Sequence, residues 1–256
     1  MERLQKILAH RGVAARRQAE ALIRAGQVWV NGRPAQVGQK CDPQVDHITI
    51  GGRPLPPAPP LRYYLFHKPL GVVSTCADPQ GRRTVRDFLP PDWPPLYPVG
   101  RLDCDSSGAL LLTNDGELTL ALTHPRHAVW KTYRVWVQGQ PPAEVLAQWR
   151  QGVPLDGQRT LPARVRVLQA TPQKTLLEIQ LREGRNRQIR RVAAQLGYPV
   201  LRLHRQAIGA IQLGDLPVGH LRPLTPQERR FCQMVVRRLH HGTPAETKRF
   251  TVNHNK

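Results

Sequence analysis

The sequence predicts an α+β protein in two parts: a small α-α-β module over residues 1–52 and a larger domain built on a mainly antiparallel mixed sheet. Three observations predict it. Helical spacing of apolar residues dominates the first fifth of the chain, whereas beyond residue 62 strand-like runs outnumber helix-like ones. Proline and glycine, 25 and 20 residues in the whole chain, are frequent in the second part and cut it into short elements. Between the parts, Gly51–Leu61 carries five prolines in eleven residues, a stiff extended linker.

Taken in order, Leu4, Ile7 and Leu8 fall on one helical face that ends at Gly12, and Ala19, Leu22 and Ile23 repeat the pattern up to Gly26. Gln27–Val30 reads as a strand, and Asn31-Gly32 is a strong two-residue hairpin signal. A second short strand is expected near His47–Ile50. After the linker, placed at 53–61, strands are expected over 62–66, 72–74, 109–113, 133–137, 163–168 and 175–181, and helices over 116–122, 143–151 and 187–196. The second domain is expected to span 62–235, followed by a basic, disordered tail over 236–256, whose last part, 243–256, is polar without periodicity.

Charge bounds the function. Lys and Arg number 38 against 18 acids, for a net charge of +20 and a pI near 11.1. Such an excess is the electrostatic footprint of a nucleic-acid binder. A membrane-spanning segment is not expected, since no apolar run approaches the roughly 20 residues needed. Met1–His10 lacks the apolar region of a signal peptide, and Glu2, Glu20 and the absence of serine argue against a transit peptide. The four cysteines, Cys41, Cys76, Cys104 and Cys232, are scattered without a C-x-x-C pair, and the ten histidines show no ligand spacing. No metal site is expected, and a reducing, cytoplasmic home is.

The densest signal is 97–116, which reads YPVGRLDCDSSGALLLTNDG and sets one acid, Asp103, between an apolar strand and a small-residue turn. Such a carboxylate is either a turn residue or a nucleophile. Around it lie Arg3-Leu4-Gln5-Lys6-Ile7-Leu8, the run from Gly12 to Glu20 and the run from Gly26 to Gly32, which together resemble the S4 RNA-binding domain. Ala15 stands where that family usually has a capping Ser, a loss of about 0.5–2 kcal/mol. The resemblance implies that Arg3, Lys6, Arg11, Arg16, Arg17 and Arg24 straddle RNA phosphates, fixing register without reading sequence.

Three further motifs, in order, resemble the pseudouridine synthases of the RsuA/RluB type. These are Gly100-Arg101-Leu102-Asp103 with Thr113–Leu118 behind it, Lys131-Thr132-Tyr133-Arg134-Val135, and Glu183-Gly184-Arg185-Asn186-Arg187-Gln188-Ile189-Arg190-Arg191. Flanking matches are Phe66–Pro69, Gly71–Thr75 and Leu203-His204-Arg205. The resemblance implies a pseudouridine synthase fold and an enzyme that isomerises uridine in ribosomal RNA, without metal or cofactor. It makes Asp103 the catalytic carboxylate, Arg190 its cationic partner and Tyr133 the residue packing on the uracil. Arg101 would enter the space left by the flipped base, with Leu102 and Leu203 supporting the site. Lys131, Arg185, Arg187 and Arg191 would face the RNA backbone. The chemistry fits these residue types: breaking N1–C1′, turning the base and bonding C5 to C1′ moves no electrons or phosphate in or out. It needs a carboxylate kept ionised, which an adjacent guanidinium favours, and a base out of its stack, at a cost of a few kcal/mol.

Rival readings are weaker. Asp103 with Asp105 would mimic a glycosidase pair, but Ser106-Ser107-Gly108 bends the strand, and Asp105 is expected to cap that turn. Ser106 lacks a G-x-S-x-G elbow, and no nucleotide-binding glycine loop supports a methyltransferase. A non-catalytic ribosome assembly factor would be free to lose Asp103. The expected partner is ribosomal RNA within a pre-ribosomal particle, 23S ahead of 16S, with the chain acting as a monomer away from membranes.

Overall fold

The computed structural model describes residues 1–241, and most of the expected tail lies outside them. The chain divides into two compact units, one of residues 1–62 with 91–96 and 114–116, the other of the remainder.

In the first unit, helices α1 (Leu4–His10) and α2 (Arg16–Arg24) pack beside a four-stranded sheet of β1 (Val28–Val30), β2 (Arg33–Pro34), β3 (Ile48–Ile50) and β4 (Arg53–Pro54), in the order β2-β1-β3-β4. Glu2–Arg3 pairs separately with Lys40–Cys41. The residues that set the helical spacing close the core: Leu4, Ile7, Leu8, Ala19 and Ile23 pack on Val28, Val30 and Ile48. Asn31 and Gly32 both take positive φ, 51° and 74°, the two-residue turn their identities predict. Ala15 supplies no side-chain acceptor to α2. Gln18 Oε1 still accepts from the Ala15 N–H at 3.2 Å, so half of a capping box survives. The linker begins later than expected, because Gly51 and Gly52 form a tight turn that brings β4 back onto β3.

The second unit is built on a nine-stranded mixed sheet. Its main path runs β8 (Arg164–Ala170), β9 (Lys174–Leu181), β7 (Lys131–Gln138), β10 (Val200–Ile208), β6 (Ser107–Thr113), β5 (Tyr63–Lys68) and β11 (Leu221–Pro223). Along that path only β10 and β6 run parallel. The helices are α3 (Gly116–Thr123), α4 (Ala143–Gln151), α5 (Gln188–Gln195) and α6 (Pro226–His241). Leu118, Ala121 and Leu122 of α3 and Cys232 and Val235 of α6 bury Leu65, Leu111 and Ile208 of the sheet.

Three expectations are corrected. Residues 72–74 form no strand but a loop with one bridge, Val73 to Thr84, because Val72 and Ser74 point inward to brace neighbouring loops. The central strand β10 and the helix α6 went unread, β10 because arginine and histidine alternate with its apolar residues. Residues 236–241 continue α6 instead of opening a disordered tail.

Candidate active site

Asp103 sits in a loop rather than on a strand. After Val99 N–H bonds Leu111 O at 2.8 Å, the chain leaves the sheet, closes a turn with Ser106 N–H to Asp103 O at 3.0 Å, and re-enters at Ser107. Re-entry depends on Gly108: at φ 112°, any Cβ would overlap the Arg205 backbone on the parallel neighbour β10. The loop is pinned on both sides of the acid. Buried Ser74 Oγ donates to Leu102 O at 2.8 Å and accepts from Leu102 N–H at 3.1 Å. Gly71 N–H donates to Cys104 O at 2.8 Å. The backbone is thus fixed while the Asp103 side chain stays 37% exposed, open to a substrate.

The third motif brings the cations. Glu183, buried, accepts from Leu161 N–H at 2.8 Å and from Gln188 Nε2 at 2.7 Å, and Gln188 Oε1 accepts from Arg185 N–H at 3.1 Å. These bonds hold Arg187, the residue before α5, in the left-handed conformation at φ 48°. A non-glycine residue rarely adopts that conformation, and its cost persists only where surrounding bonds impose it. Arg187 forks onto the Asp105 carboxylate at 2.8 and 3.2 Å and stands 3.6 Å from Asp103 Oδ2. Arg190 Nη2 donates to Asp105 O at 2.6 Å and Ser106 Oγ at 3.3 Å, and its Nε lies 3.3 Å from Asp105 Oδ2 without hydrogen-bonding alignment.

Two expectations change here. The direct ion partner of Asp103 is Arg187, while Arg190 contacts Asp105 and acts on Asp103 through space. Asp105 does not cap the turn. The turn is closed by backbone, and the Asp105 carboxylate instead joins both guanidiniums. The Arg187 hydrogen bond, with both arginine charges adding, holds that carboxyl below its ordinary range. Burial pulls Arg190 down, against Asp105 and Asp103.

Tyr133 lies on β7, nearly buried, directly across from Arg205 on β10. Arg205, buried, donates through Nε to Ala109 O at 2.6 Å and pairs in register with Gly108, so Tyr133 stands two strands from the start of β6, where the Asp103 turn ends. Sequence reading missed Lys68, which is fully buried: its Nζ donates to Pro69 O at 2.8 Å and Val72 O at 2.7 Å. Burial lowers its pKa to about 8, against the pull of Cys104, Asp103 and Asp105. The one visible signal was a lysine directly after Leu65-Phe66-His67 at the end of a strand. Lys131, half-buried at the start of β7, is also lowered to about 8, first by burial and then by Arg205. Leu102 and Leu203 are buried packing residues, and Arg101 is exposed.

The arginines expected to face RNA divide. Arg3, Arg16, Arg17 and Arg24 are exposed on the first unit. Lys6 is paired with Glu2 at 2.6 Å and Arg11 donates to Pro56 O at 3.0 Å. Arg185 is turned inward, donating to the carbonyls of Leu155, Gln158 and Arg159 at 2.8–3.1 Å. Arg191 is bound to Asp156, one bond at 2.9 Å. Arg185, Arg187 and Arg191 are therefore committed to protein acceptors, because the 154–159 hairpin and the turn carrying Asp105 bring carbonyls and carboxylates within their reach.

A basic helical module joined to a sheet domain that carries an open carboxylate braced by guanidiniums defines an enzyme acting on RNA. Residues 62–195 match the family model of the RNA pseudouridylate synthases, and residues 2–46 match that of the S4 domain. The chain is 42% identical over 231 residues to the ribosomal large subunit pseudouridine synthase B of Bacillus subtilis, covering 89% of this chain and 94% of that one. It is 47% identical over 170 residues to the ribosomal large subunit pseudouridine synthase E of Xanthomonas axonopodis pv. citri, covering 59% of this chain and 88% of that one. A crystal structure of a pseudouridylate synthase superposes with a TM-score of 0.66 at 31% identity, covering 91% of this chain and all of that one. The chain belongs to the RNA pseudouridylate synthase family and carries an S4 RNA-binding domain.

Proposed function

We propose that the enzyme converts specific uridines of ribosomal RNA to pseudouridine, on large-subunit RNA, with Asp103 as the essential carboxylate and without a metal. The two relatives of highest relevance to substrate are both named for the large ribosomal subunit, and one aligns over nearly its whole length. The observation that carries the catalytic assignment is the Asp103 loop itself: backbone clamped at Leu102 and Cys104, carboxylate accessible, a guanidinium 3.6 Å away.

In this reading Asp103 acts at the sugar while the N1–C1′ bond breaks, the uracil turns, C5 bonds to C1′, and the C5 proton leaves as N1 gains one. Arg187 and Arg190 set positive charge beside the Asp103 carboxylate beneath the bound base. Tyr133 packs on the uracil, and Arg101 fills the vacated stack.

The test is tritium release from ribosomal RNA transcripts labelled at uridine C5. Wild type should release tritium from large-subunit transcript, and Asp103→Ala should reduce the rate at least 10³-fold, of the order seen when a nucleophile is removed. No release from either subunit's RNA sinks the enzymatic reading. Release from small-subunit RNA alone sinks the substrate choice. Release that survives Asp103→Ala sinks the catalytic assignment.

A further inference from the structure

The sheet of the second unit has two faces at its β8-β9-β7-β10 end, and only one is closed. Alternation sends Tyr133, Val135 and Val137 of β7, and Leu177 and Ile179 of β9, to a buried side. The residues between them point the other way, and there the burial pattern changes. Arg134, Arg164, Arg166, Lys174 and Arg202 are exposed, and no described residue covers them.

Register places these cations together. Arg134 stands beside His204 on β10, and Trp136 stands across from Arg202 on β10 and Leu176 on β9. Arg164 and Arg166 face Gln180 and Glu178. Arg202 lies two residues from His204 on β10 and Arg134 is its cross-strand partner, so all three share one side of the sheet. With Arg182 the face carries six cations, and Glu178, held by Arg166 at 3.2 Å, is the one acid in these four strands. Strand geometry spaces such side chains about 6.8 Å apart along a strand and about 4.8 Å between strands.

The two indoles on this face decide what it recognises. Trp130 has the Arg164 guanidinium 4.5 Å and the Arg182 guanidinium 5.0 Å from its ring centre, and Trp136 has Lys174 Nζ at 4.7 Å. The rings are occupied by cations and do not offer open stacking platforms for bases. Their effect is to hold long, flexible side chains in place while the outward N–H groups remain available. Such an array takes phosphates and is blind to sequence.

We propose that this open face of the β8-β9-β7-β10 sheet is a second RNA-binding surface, which grips the phosphate backbone of a helical RNA segment other than the one presented to Asp103. It holds a structured substrate at a point remote from the reacting uridine. The proposal rests on the RNA partner of the preceding reading, and because it concerns backbone alone it is testable apart from isomerisation.

The test compares two triple variants of the full chain. Arg134→Gln/Arg166→Gln/Arg202→Gln strips the face. Arg229→Gln/Arg230→Gln/Arg237→Gln removes equal charge from exposed positions of α6. Filter binding to large-subunit ribosomal RNA transcript, and to an A-form RNA duplex of arbitrary sequence, is measured from 50 to 300 mM salt, with circular dichroism melts to show that both variants fold. The face variant should bind each RNA about tenfold or more weakly, with a salt slope smaller by about two to three, one ion per lost contact. The α6 variant should keep both. Unchanged affinity and slope in the face variant would overturn the proposal, and so would equal weakening by both triples, which would mean long-range charge and no surface. Failure of tritium release in wild type would leave this result standing, so the two readings fail separately.

Discussion

Asp103 and Asp105 stand two residues apart, and one guanidinium, Arg187, touches both. Asp105 therefore competes with Asp103 for cations while anchoring them beside it. Replacing it by Asn keeps the shape and removes the anchor. Asp105→Asn is expected to lower kcat about 10–100-fold while RNA affinity holds or tightens, since a negative charge leaves a polyanion site; steady-state tritium release with separate filter binding checks this. The same variant changes stability with a definite sign. The Asp105 carboxyl is lowered in the folded state, so its contribution is present above its unfolded value, near 3.9, and is lost as pH falls through the lower folded value. Urea melts should separate wild type from Asp105→Asn at neutral pH and converge in acid. His204 behaves oppositely to a paired histidine: burial first, then His67, Arg202 and Arg134, lower its pKa to about 4. Its ring, 2.9 Å from Ser107 Oγ, stays neutral in the fold. The unfolded chain then takes up the proton first, so stability falls as pH drops from about 6.5 to about 4. A chemical-shift titration in which His204 protonates near 6.5 would contradict this.

Among elements, the β6–β10 junction matters most, because the one parallel pairing of the main sheet path lies next to the Asp103 turn. Gly108→Ala places a methyl against the Arg205 backbone at a φ that alanine resists, and is expected to cost more than about 3 kcal/mol or to prevent soluble expression. Ser74→Ala tests the loop more gently. It orphans the Leu102 N–H and C=O, buried groups whose loss costs about 1–3 kcal/mol each. Activity should fall by more than stability does, since the backbone carrying Asp103 loosens; a fall in melting temperature with unaltered kcat would show that Ser74 only supports the fold.

Across the whole molecule, chemistry is assigned to the second unit alone, whereas RNA affinity is shared by both. Deleting residues 1–60 is expected to weaken RNA binding more than it slows single-turnover isomerisation at saturating RNA; unaltered affinity would contradict it. The charge excess, with the S4 match, has RNA as its counterpart. With many phosphate contacts, affinity should drop steeply between 50 and 200 mM salt.

Much of this was legible in the chain alone. Helical spacing of Leu4, Ile7 and Leu8, the Asn31-Gly32 turn, and the apolar runs behind residues 109, 133 and 175 carry local information, since each depends on neighbours a few residues away. So does the family likeness of the three motifs, each a short contiguous string. What the string could not carry is which side chain meets which. Arg187 and Arg190 lie within one turn of helix, and only the left-handed backbone imposed by buried Glu183 and Gln188 sends the first to Asp103 and Asp105 and holds the second on Asp105. Lys68 reads as a basic residue until the fold removes its water. Likewise Arg134, Arg166 and Arg202 are far apart in sequence, and strand register alone makes them one surface. Composition pointed to a nucleic-acid partner and the motifs to the family, because those are properties of residue type and short strings. Pairing, burial and charge partnership were decided by the tertiary structure, because they depend on distances that sequence separation does not set.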